Sequence, residues 1–468
     1  MRSAGSRRSR RASTAAVTAF ALAALAACGT SSSGGGDGSG SGSSDPAAPL
    51  DPGTKVTLTI DCMPPAAKAA ELREWKEDVR AFNRTYPEVR IDGRSTPGQC
   101  LEPPRFTAML KGRSQPDVFY AYFTDLQQVL DNDGAEDISA YVTDITVPAL
   151  KDIQPQVLDV ARKDGRLYAL PTSNYTMGLL INRKLFTRAG LDPDTPPASW
   201  EEVRTASRKI AALGPDIAGF GEYSAGNNGG WHFTATQYAL GGDVVDASGR
   251  KAAFDDDTGR QVLRHLHDMR WEDDSMGSTQ LLKWGDLQKQ IATDKLGMFL
   301  AAPDDIAYMV QQLGAEYENF GLGPIPGARG TLFGGNNYMI KKGSSPDTIK
   351  AAVAWLNFKN LTPGQGQFDW ARTKTDRLPV GLPQPNFFTG ESKKKDDADR
   401  AAHATMPVEN FKAFMDHPVP GRAEPPKAQE IYKILDNAMS AVLTNRDADI
   451  DRLLDTAAQQ VDQILAQP

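Results

Sequence analysis

Two short apolar runs separated by a polar patch, within Gly165–Phe186, constrain the fold more than any other stretch of this chain. The segment reads GRLYALPTSNYTMGLLINRKLF. Leu167–Leu170 and Met177–Ile181 each have the length and the bounding residues of a short buried strand. The polar patch Thr172–Thr176 suits a segment that leaves one core, crosses a wet gap and enters another. A surface loop between two strands of one sheet would show the same pattern, so this stretch alone leaves both interpretations open.

The N-terminal residues indicate export. A start rich in arginine and free of acidic residues leads into the apolar run Ala15–Ala27, which is short for a membrane span. Residues 1–27 are therefore predicted to be a signal peptide. Leu25–Gly29, with small residues directly before Cys28, resembles the lipobox of bacterial lipoproteins, in which the Cys carries the lipid, including palmitate. The alternative is an ordinary secretory signal in which Cys28 is incidental.

A Gly/Ser-rich linker follows the export signal. Residues 28–52 are nearly all Gly, Ser, Asp, Pro and Ala, so they bury too little apolar surface to offset their ordering entropy. We expect a disordered tether between the lipidated Cys28 and a globular body. No later segment is long and apolar enough to span a membrane. The expected location is the outer face of the cytoplasmic membrane, with the lipid as the anchor.

Length and charge limit the class of partner. A chain of 468 residues predicts two or three domains. The net charge of the precursor is −7, and removal of the signal arginines makes the mature chain more acidic still. An acidic body argues against nucleic acid as a partner and suits a neutral ligand better than an anionic one.

The chain contains three cysteines, of which Cys28 belongs to the export signal. Cys62 and Cys100 remain as an even pair in an exported protein, and a disulfide between them is the default expectation there. Two separate buried thiols are the alternative.

The beginning of the globular body predicts a parallel α/β unit. Lys55–Ile60 reads as a strand, Ala66–Phe82 as a helix and Val89–Ile91 as a second strand, and Pro116–Ala121 gives a third. In an open parallel sheet, ligands bind beyond the carboxyl ends of the strands. The polar side chains expected on that rim are Asp61, Tyr122 and Asp125.

At this point an ordered set of segments resembles a known family. The order GRLYALP, LLINRKLFTRAGL and PPASWEEV is similar to that of the extracellular solute-binding proteins of ABC importers, in the cluster for sugars and oligosaccharides that includes the maltose-binding type. AFNRTYPEVRI and QPDVFYAYFTDL precede this set in the expected order. LFGGNNYMIKKGSSPDTIKAAVAWLNF follows it. The resemblance runs from about Lys55 to the end, and the ordered set is more specific than any one piece.

The resemblance implies an α/β fold of the periplasmic-binding-protein type. Two lobes, each a mainly parallel sheet flanked by helices, would hold ligand in the cleft between them. Lobe one would be residues 55–174 plus 336–361, and lobe two residues 178–332 plus 367–468. The crossings would be Asn174–Gly178, Thr331–Asn337 and a segment near Leu361–Gly366, with Gly334 and Gly335 allowing unusual backbone angles.

A sugar site needs flat aromatic faces for the CH side of a pyranose and polar groups for its hydroxyls. Trp231 follows the Gly/Asn-rich stretch Gly226–Gly230 and aligns with a stacking aromatic of the family. Tyr175 lies in the first crossing, and Asp304 stands where relatives often carry Trp, which suggests hydrogen bonding there. The full set of expected ligand-binding residues is Asp61, Tyr122, Asp125, Tyr175, Trp231, Asp304, Asn336 and Asn337. Arg422 could also reach the cleft.

The expected function is that of the substrate-binding component of an ABC importer. A monomer would capture a carbohydrate, expected to be an oligosaccharide, by lobe closure and deliver it to membrane permease subunits. Neither a cofactor nor a metal is expected. The chain carries no HExxH, P-loop, GxGxxG or GxSxG motif, so we do not expect an enzyme. The alternatives are a secreted glycoside hydrolase with paired carboxylates and a sensory lipoprotein that uses the same fold.

Overall fold

Two β-sheets organise the structure, the first packed in one hydrophobic core and the second between two. A computed structural model describes residues 45–95, 100 and 103–467. The predicted signal peptide, Cys28 and the linker as far as residue 44 lie outside the described residues. In the described part the strands are β1 Val56–Ile60, β2 Val89–Gly93, β3 Val118–Tyr122, β4 Arg162–Lys163, β5 Arg166–Leu167, β6 Ala169–Thr176, β7 Gly178–Asn182, β8 Ala218–Phe220, β9 Leu296–Ala301, β10 Phe320–Pro324, β11 Thr331–Ile340 and β12 Gly421–Ala423.

The α-helices flank these sheets. They are α1 Ala69–Thr85, α2 Pro103–Lys111, α3 Leu126–Asp131, α4 Pro155–Asp159, α5 Arg183–Arg188, α6 Trp200–Ala211, α7 Asn228–Ala239, α8 Asp257–His267, α9 Asp286–Ala292, α10 Asp304–Leu313, α11 Pro346–Leu356, α12 Trp370–Thr375, α13 Gly390–Ala402, α14 Lys412–Asp416, α15 Ala428–Thr444 and α16 Ile450–Leu465. Of the described helices, none is long and apolar enough to pass through a membrane.

The first sheet has the strand order β12-β11-β3-β1-β2, and β6 pairs with β11. Strand β1 is parallel to β2 and β3, as the predicted strand–helix–strand unit requires. Strand β11 runs antiparallel to both β3 and β6 and parallel to β12. This sheet is mixed, with parallel pairs at both ends and antiparallel pairs around β11 in between.

The second sheet has the order β10-β7-β9-β8. Strand β7 is antiparallel to both of its neighbours, and only the β8–β9 pair is parallel. The expectation of a mainly parallel sheet is therefore wrong for this lobe. Strand β7 is buried along its whole length, so its apolar sequence fits a central strand of either kind of sheet, and the pattern could not distinguish the two.

The stretch Gly165–Phe186 joins the two lobes. Leu170, in β6, packs in the first core, whereas Leu179 and Ile181, in β7, pack in the second. Thr176 is the last residue of β6 and Gly178 the first of β7, so the chain passes from one core to the other within three residues. The interpretation as a crossing is correct for this stretch, and the surface-loop alternative is not.

The segment that follows residue 366 packs mainly on the first lobe, whereas the sequence analysis assigned it to the second. Phe368, Phe387 and Phe388 are buried in the first core. Arg372 forms an ion pair with Asp78 of α1, a carboxylate with 0% exposure that also binds Lys359 at 2.6 Å. A buried carboxylate requires cationic partners, so this cluster fixes the segment against α1.

The third crossing consequently lies much later than the expected Leu361–Gly366. Helix α13 still contacts the first lobe through Ser392, whose hydroxyl donates to Asp152 at 2.7 Å. Met406, Phe411 and Phe414 pack in a core of the second lobe. Leu382 also packs against that core, so the chain touches the second lobe before α13 and enters its core at Met406. The apolar pattern could not show which core each side chain enters.

The end of the predicted linker is packed. Leu50 is 5% exposed and belongs to the first core, next to Phe82 of α1. The last residues of the expected tether are therefore held against lobe one.

Gly334 and Gly335 allow close contacts in β11, and neither has a positive φ. A Cβ on Gly334 would lie 2.3 Å from the Tyr175 hydroxyl oxygen, and one on Gly335 would lie 2.2 Å from the Ser173 carbonyl oxygen and 2.5 Å from the Phe123 ring. The expected reason, unusual backbone angles, is wrong. Glycine is required here because rings and backbone of the neighbouring elements lie directly on the strand.

We predict that Gly335→Ala destabilises the protein by about 1–3 kcal/mol, because the added methyl group would overlap a backbone oxygen that cannot move freely. Thermal unfolding should show a lower Tm. Gly214→Ala is the matched control, since the nearest atom to its added Cβ is 3.7 Å away in the Ile217 side chain. Equal Tm values for the two variants would contradict this account of the Gly pair.

Candidate ligand-binding cleft

Three strands that join the lobes bring the central site residues together. Tyr175 of β6 pairs with Gly334 of β11, and Phe333 pairs with Ala423 of β12. Glu424 directly follows Ala423, so Tyr175 and Glu424 flank the same short stretch of β11. The register of these strands thus places an aromatic ring and a carboxylate side by side between the lobes.

Tyr175 forms the centre of the site. Its ring lies over Gly334 and meets the Trp231 ring edge to face, with centroids 6.1 Å apart and an interplanar angle of 79°. Burial raises the pKa of Tyr175 well above its ordinary value of 10, and the carboxylates of Glu424 and Asp304 raise it further. The hydroxyl therefore stays protonated at neutral pH and is available as a hydrogen-bond donor.

Trp231 lies in the first turn of α7, half-buried against the second core. Asp436 of α15 accepts hydrogen bonds from the backbone N–H groups of Asn227 at 2.6 Å and Gly230 at 2.9 Å, which caps the helix. A Cβ on Gly230 would lie 2.3 Å from the Tyr432 backbone. The Gly/Asn-rich stretch Gly226–Gly230 is thus a tightly packed helix start, and its glycines hold Trp231 in place.

Glu424 and Tyr432 were missed by the sequence analysis. The Tyr432 hydroxyl, on α15, donates to Glu424 Oε1 at 2.8 Å. Burial raises the pKa of the half-buried Glu424 carboxyl to about 7. From the sequence, Arg422 was the residue of the PGRAEPP loop expected to reach the cleft. In the structure, Glu424 of the same loop lies on the Tyr175 side of the cleft.

Arg422 is directed elsewhere. Its guanidinium lies 4.2 Å from the centroid of the Tyr238 ring, donates to the Gly242 carbonyl oxygen at 2.7 Å and forms an ion pair with Asp243. These partners all lie in the second lobe. The Tyr238 ring contacts the planar face of the guanidinium, and Gly242 and Asp243 bind its edge. Arg422 therefore stabilises β12 against α7, which positions Glu424.

Asp304 and Asp305 begin α10, and they differ in exposure. The Asp304 side chain is exposed to solvent. Protein atoms nevertheless surround its carboxyl closely enough that desolvation raises its pKa, as expected in a cleft. Asp305 is 3% exposed and accepts hydrogen bonds from Gln288 Nε2 at 2.7 Å and Trp284 Nε1 at 3.1 Å. Burial, and then repulsion from Asp304, raise the pKa of Asp305 to about 7.

Tyr122 and Asp125 lie at the carboxyl end of β3, on the first lobe. Asp125 Oδ2 accepts from the Tyr122 backbone N–H at 2.8 Å and caps the following 3-10 turn, so its role is structural. Burial raises the pKa of Asp125 to about 6. The Tyr122 side chain is half-buried, and burial followed by the charge of Asp125 raises its pKa to about 12.

Asp61 ends β1 beside the two cysteines. Its carboxylate accepts from the Cys62 backbone N–H at 3.0 Å, and its carbonyl oxygen accepts from the Tyr338 hydroxyl at 3.2 Å. Burial raises the pKa of Asp61. Cys62 and Cys100 are free thiols in the structure, joined by a hydrogen bond that raises the pKa of Cys62 and lowers that of Cys100. The expected disulfide is thus not formed there, although the two thiols are in contact.

Asn336 and Asn337 lie on opposite faces of β11, because successive side chains of a strand alternate. Asn336 is half-buried, and its Nδ2 donates to Ser173 Oγ at 2.8 Å. Asn337 is 0% exposed, and neither amide atom has a partner among the described residues. Asn337 therefore belongs to the interior of lobe one, and the expectation that both amides serve the ligand is wrong for it.

The Tyr175 ring meets the Trp231 ring edge to face, and Asp304 and Tyr122 lie close enough to raise the pKa of Tyr175, so the structure brings these four residues together. Pockets of about 240 and 270 Å³ lie elsewhere, around Phe82 and Phe358 in one lobe and around Leu191 and Pro196 in the other. They contain none of the expected site residues.

The chain matches known proteins over most of its length. Residues 66–362 match the family model described as bacterial extracellular solute-binding protein. A Brucella abortus (strain 2308) protein named as a binding protein is 25% identical over 402 residues, which cover 84% of this chain and 89% of that protein. An sn-glycerol-3-phosphate-binding periplasmic protein of Yersinia enterocolitica is 23% identical over 323 residues, covering 65% and 68% of the two chains.

Solved structures share the fold. The cyclic alpha-maltosyl-1,6-maltose binding protein of Arthrobacter globiformis has a TM-score of 0.68 and 20% sequence identity, and the match covers 89% of this chain and 100% of that chain. The prediction of a two-lobe binding-protein fold is thereby confirmed.

We predict that Glu424→Gln stabilises the ligand-free protein at pH 8 and leaves its Tm nearly unchanged at pH 5. The folded state raises the pKa of Glu424 from 4.5 to about 7. Between pH 4.5 and about 7, Glu424 therefore keeps its proton in the folded protein but has lost it in the unfolded chain. As pH rises through this window, the free energy of unfolding falls. Glutamine removes this loss, of the order of 1 kcal/mol, which corresponds to roughly 1 °C in Tm for a chain of 468 residues.

Thermal unfolding at pH 5, 6, 7 and 8 measures this effect. Glu430→Gln is the matched control, since Glu430 is an exposed residue of the same region. Asp125 and Asp305 have raised pKa values as well. The Tm of the Glu424→Gln variant should therefore still fall with rising pH, but less steeply than that of wild type. Parallel Tm curves for wild type and Glu424→Gln would contradict the prediction.

Proposed function

The chain belongs to the family of bacterial extracellular solute-binding proteins, and we propose that it captures an oligosaccharide in its cleft for delivery to the permease of an ABC importer. The observation that carries the proposal is the edge-to-face pair of Tyr175 and Trp231 beside Glu424, where strands of both lobes meet. Aromatic rings provide surfaces for the CH face of a pyranose. The Tyr175 hydroxyl and the Glu424 carboxylate provide a donor and an acceptor for its hydroxyl groups.

The charges in the cleft favour a neutral ligand over an anionic one. The charged groups that act on Tyr175 are the carboxylates of Glu424 and Asp304. Arg422, which could have bound a phosphate, is paired with Asp243. A phosphorylated ligand such as the one named for the Yersinia relative would meet like charges here, because phosphate recognition requires cationic donors.

Lobe closure is the proposed mechanism of capture. Tyr122 extends from lobe one and Trp231 from lobe two, with Tyr175 on the crossing strand between them. A ligand that contacts all three would shift an open–closed equilibrium by its differential affinity for the two states. We further propose that the protein acts as a monomer and binds its ligand without altering it.

Binding is tested by calorimetry and small-angle scattering with mono- and oligosaccharides, with sn-glycerol 3-phosphate as the anionic comparison. We expect affinity for a neutral oligosaccharide and a smaller radius of gyration in its presence. Preference for the phosphate ester would contradict the proposal. Release of shorter sugars by catalytic amounts of protein would replace it with glycoside hydrolysis.

Trp231→Ala should weaken oligosaccharide binding by about tenfold or more. Loss of a buried stacking ring removes roughly 1–3 kcal/mol, and 1.4 kcal/mol is a factor of ten in Kd. The Tm of the ligand-free protein should change little, because the ring is only half-buried. Trp271→Ala is the control, since that indole donates to the Val442 carbonyl oxygen away from the cleft. A variant with normal affinity and a much lower Tm would show that Trp231 is a core residue.

We also propose that Cys28 carries the lipid anchor and that Cys62 and Cys100 form a disulfide after export. The first rests on the lipobox-like Leu25–Gly29, and the second on the contact between the two thiols. Mass spectrometry of protein extracted from the membranes of the producing bacterium should find a diacylated N-terminal Cys28 and a linked Cys62–Cys100 peptide pair.

Two outcomes would count against these assignments. If Cys28→Ala left processing and membrane association unchanged, the anchor would lie elsewhere. If Cys62 and Cys100 were both alkylated in the folded, unreduced protein, the thiols would be free outside the cell.

A further inference from the structure

We propose that Trp284 and Tyr308 form a second stacking platform on the lobe-two side of the cleft, next to Trp231, and that the ligand is long enough to occupy both. This inference deepens the proposed function, on which it rests. It assigns the length selectivity of the site to a pair of aromatic residues that the sequence analysis did not place in the cleft.

The two rings are unusually accessible for their size. Trp284 is 37% exposed, and in the described residues it is the only tryptophan among the exposed large hydrophobic side chains. Tyr308 is half-buried, and the two ring centroids are 4.6 Å apart. An exposed aromatic pair leaves apolar area in contact with water, so an occupant with an apolar face would be stabilised there.

Buried polar groups fix the orientation of the Trp284 indole. Its Nε1 donates to Asp305 Oδ1 at 3.1 Å, and its backbone N–H donates to Asn228 Oδ1 at 2.9 Å. Asp305 is itself held by Gln288, which accepts a hydrogen bond from the Tyr223 hydroxyl at 2.9 Å. A ring held in this way loses little conformational entropy when a ligand binds, which distinguishes it from an exposed side chain that is free to rotate.

Two helices connect this platform to the cleft. Asn228, whose side chain accepts a hydrogen bond from the Trp284 backbone, lies three residues before Trp231 on α7, so both residues project from one face of that helix. Asp304 and Tyr308 lie four residues apart on α10 and share a face in the same way. Because the Asp304 charge acts on Tyr175, that face of α10 borders the cleft centre.

The chemistry around the platform suits a further sugar ring. Asp304 is exposed beside the two aromatic residues and can accept hydrogen bonds from hydroxyl groups. The platform therefore combines an apolar surface with an adjacent acceptor, which is the same combination as at Trp231 and Glu424. A docking surface for the permease would also use exposed aromatic residues, and the experiment separates the two roles.

The test is calorimetry with two chain-length series, maltose to maltopentaose and cellobiose to cellopentaose, on wild type, Trp284→Ala, Tyr308→Ala and Trp271→Ala. For the series that binds, Trp284→Ala should weaken the longer sugars by about tenfold and the disaccharide by less than twofold. Tyr308→Ala should act in the same direction, and Trp271→Ala should leave every affinity unchanged. Trp231→Ala should weaken all lengths.

The failure of the inference is distinct from that of the proposed function. If wild type bound neither series nor any sugar of the wider panel, the proposed function would fail. If wild type bound oligosaccharides and Trp284→Ala bound every length equally well, the second platform would be refuted, and reduced sugar uptake by that variant in cells would then identify the pair as a docking surface. The Tm of each ligand-free variant verifies that it is folded.

Discussion

The close passage of β6, β11 and β12 between the lobes is the constraint on which the site depends. Strand β11 carries two glycines at the point where its neighbours lie closest, and the rings of Tyr175 and Phe123 occupy the space that side chains would fill. The register of these strands then determines the position of Tyr175 relative to Glu424. Because the strands belong to both cores, the groups that we propose bind the ligand are fixed where the two lobes join, and further ligand contacts could approach from either side.

Much of this arrangement could be predicted from local patterns. The apolar runs on either side of Thr172–Thr176 predicted the crossing, and Ser199 with Glu202 forms a capping box at the start of α6, as the PPASWEEV spacing indicates. Trp231 and Tyr175 were assigned to the cleft from the resemblance and from their neighbouring residues, and their two rings are in edge-to-face contact. These features depend on contacts between residues that are close in the sequence, or on an order of segments that is shared with relatives.

The features that the sequence could not predict depend on contacts between distant segments. Arg372 is fixed to lobe one by Asp78, almost 300 residues away in the sequence, and no periodicity reports such a pair. Asn336 and Asn337 are identical in type, and only the pairing of β11 with β3 decides which of them faces Tyr122. In PGRAEPP, the arginine was the more obvious ligand for a polar substrate, but Asp243 and the ring of Tyr238 bind it, and Glu424 is the residue of this loop that influences Tyr175.

The raised pKa values of the cleft carboxyls connect stability to binding. Glu424 and Asp305 lose hydration on folding, and each has a pKa of about 7, so at neutral pH the ligand-free protein retains an unfavourable interaction in its site. Asp305 is compensated within the fold by Gln288 and Trp284, whereas Glu424 receives one hydrogen bond from Tyr432 and has capacity for more. A hydroxyl-rich ligand supplies those missing donors and would favour the ionised form. The same carboxylate that destabilises the empty cleft would thereby strengthen the occupied one, and a ligand that binds there should lower the pKa of Glu424 as it closes the lobes.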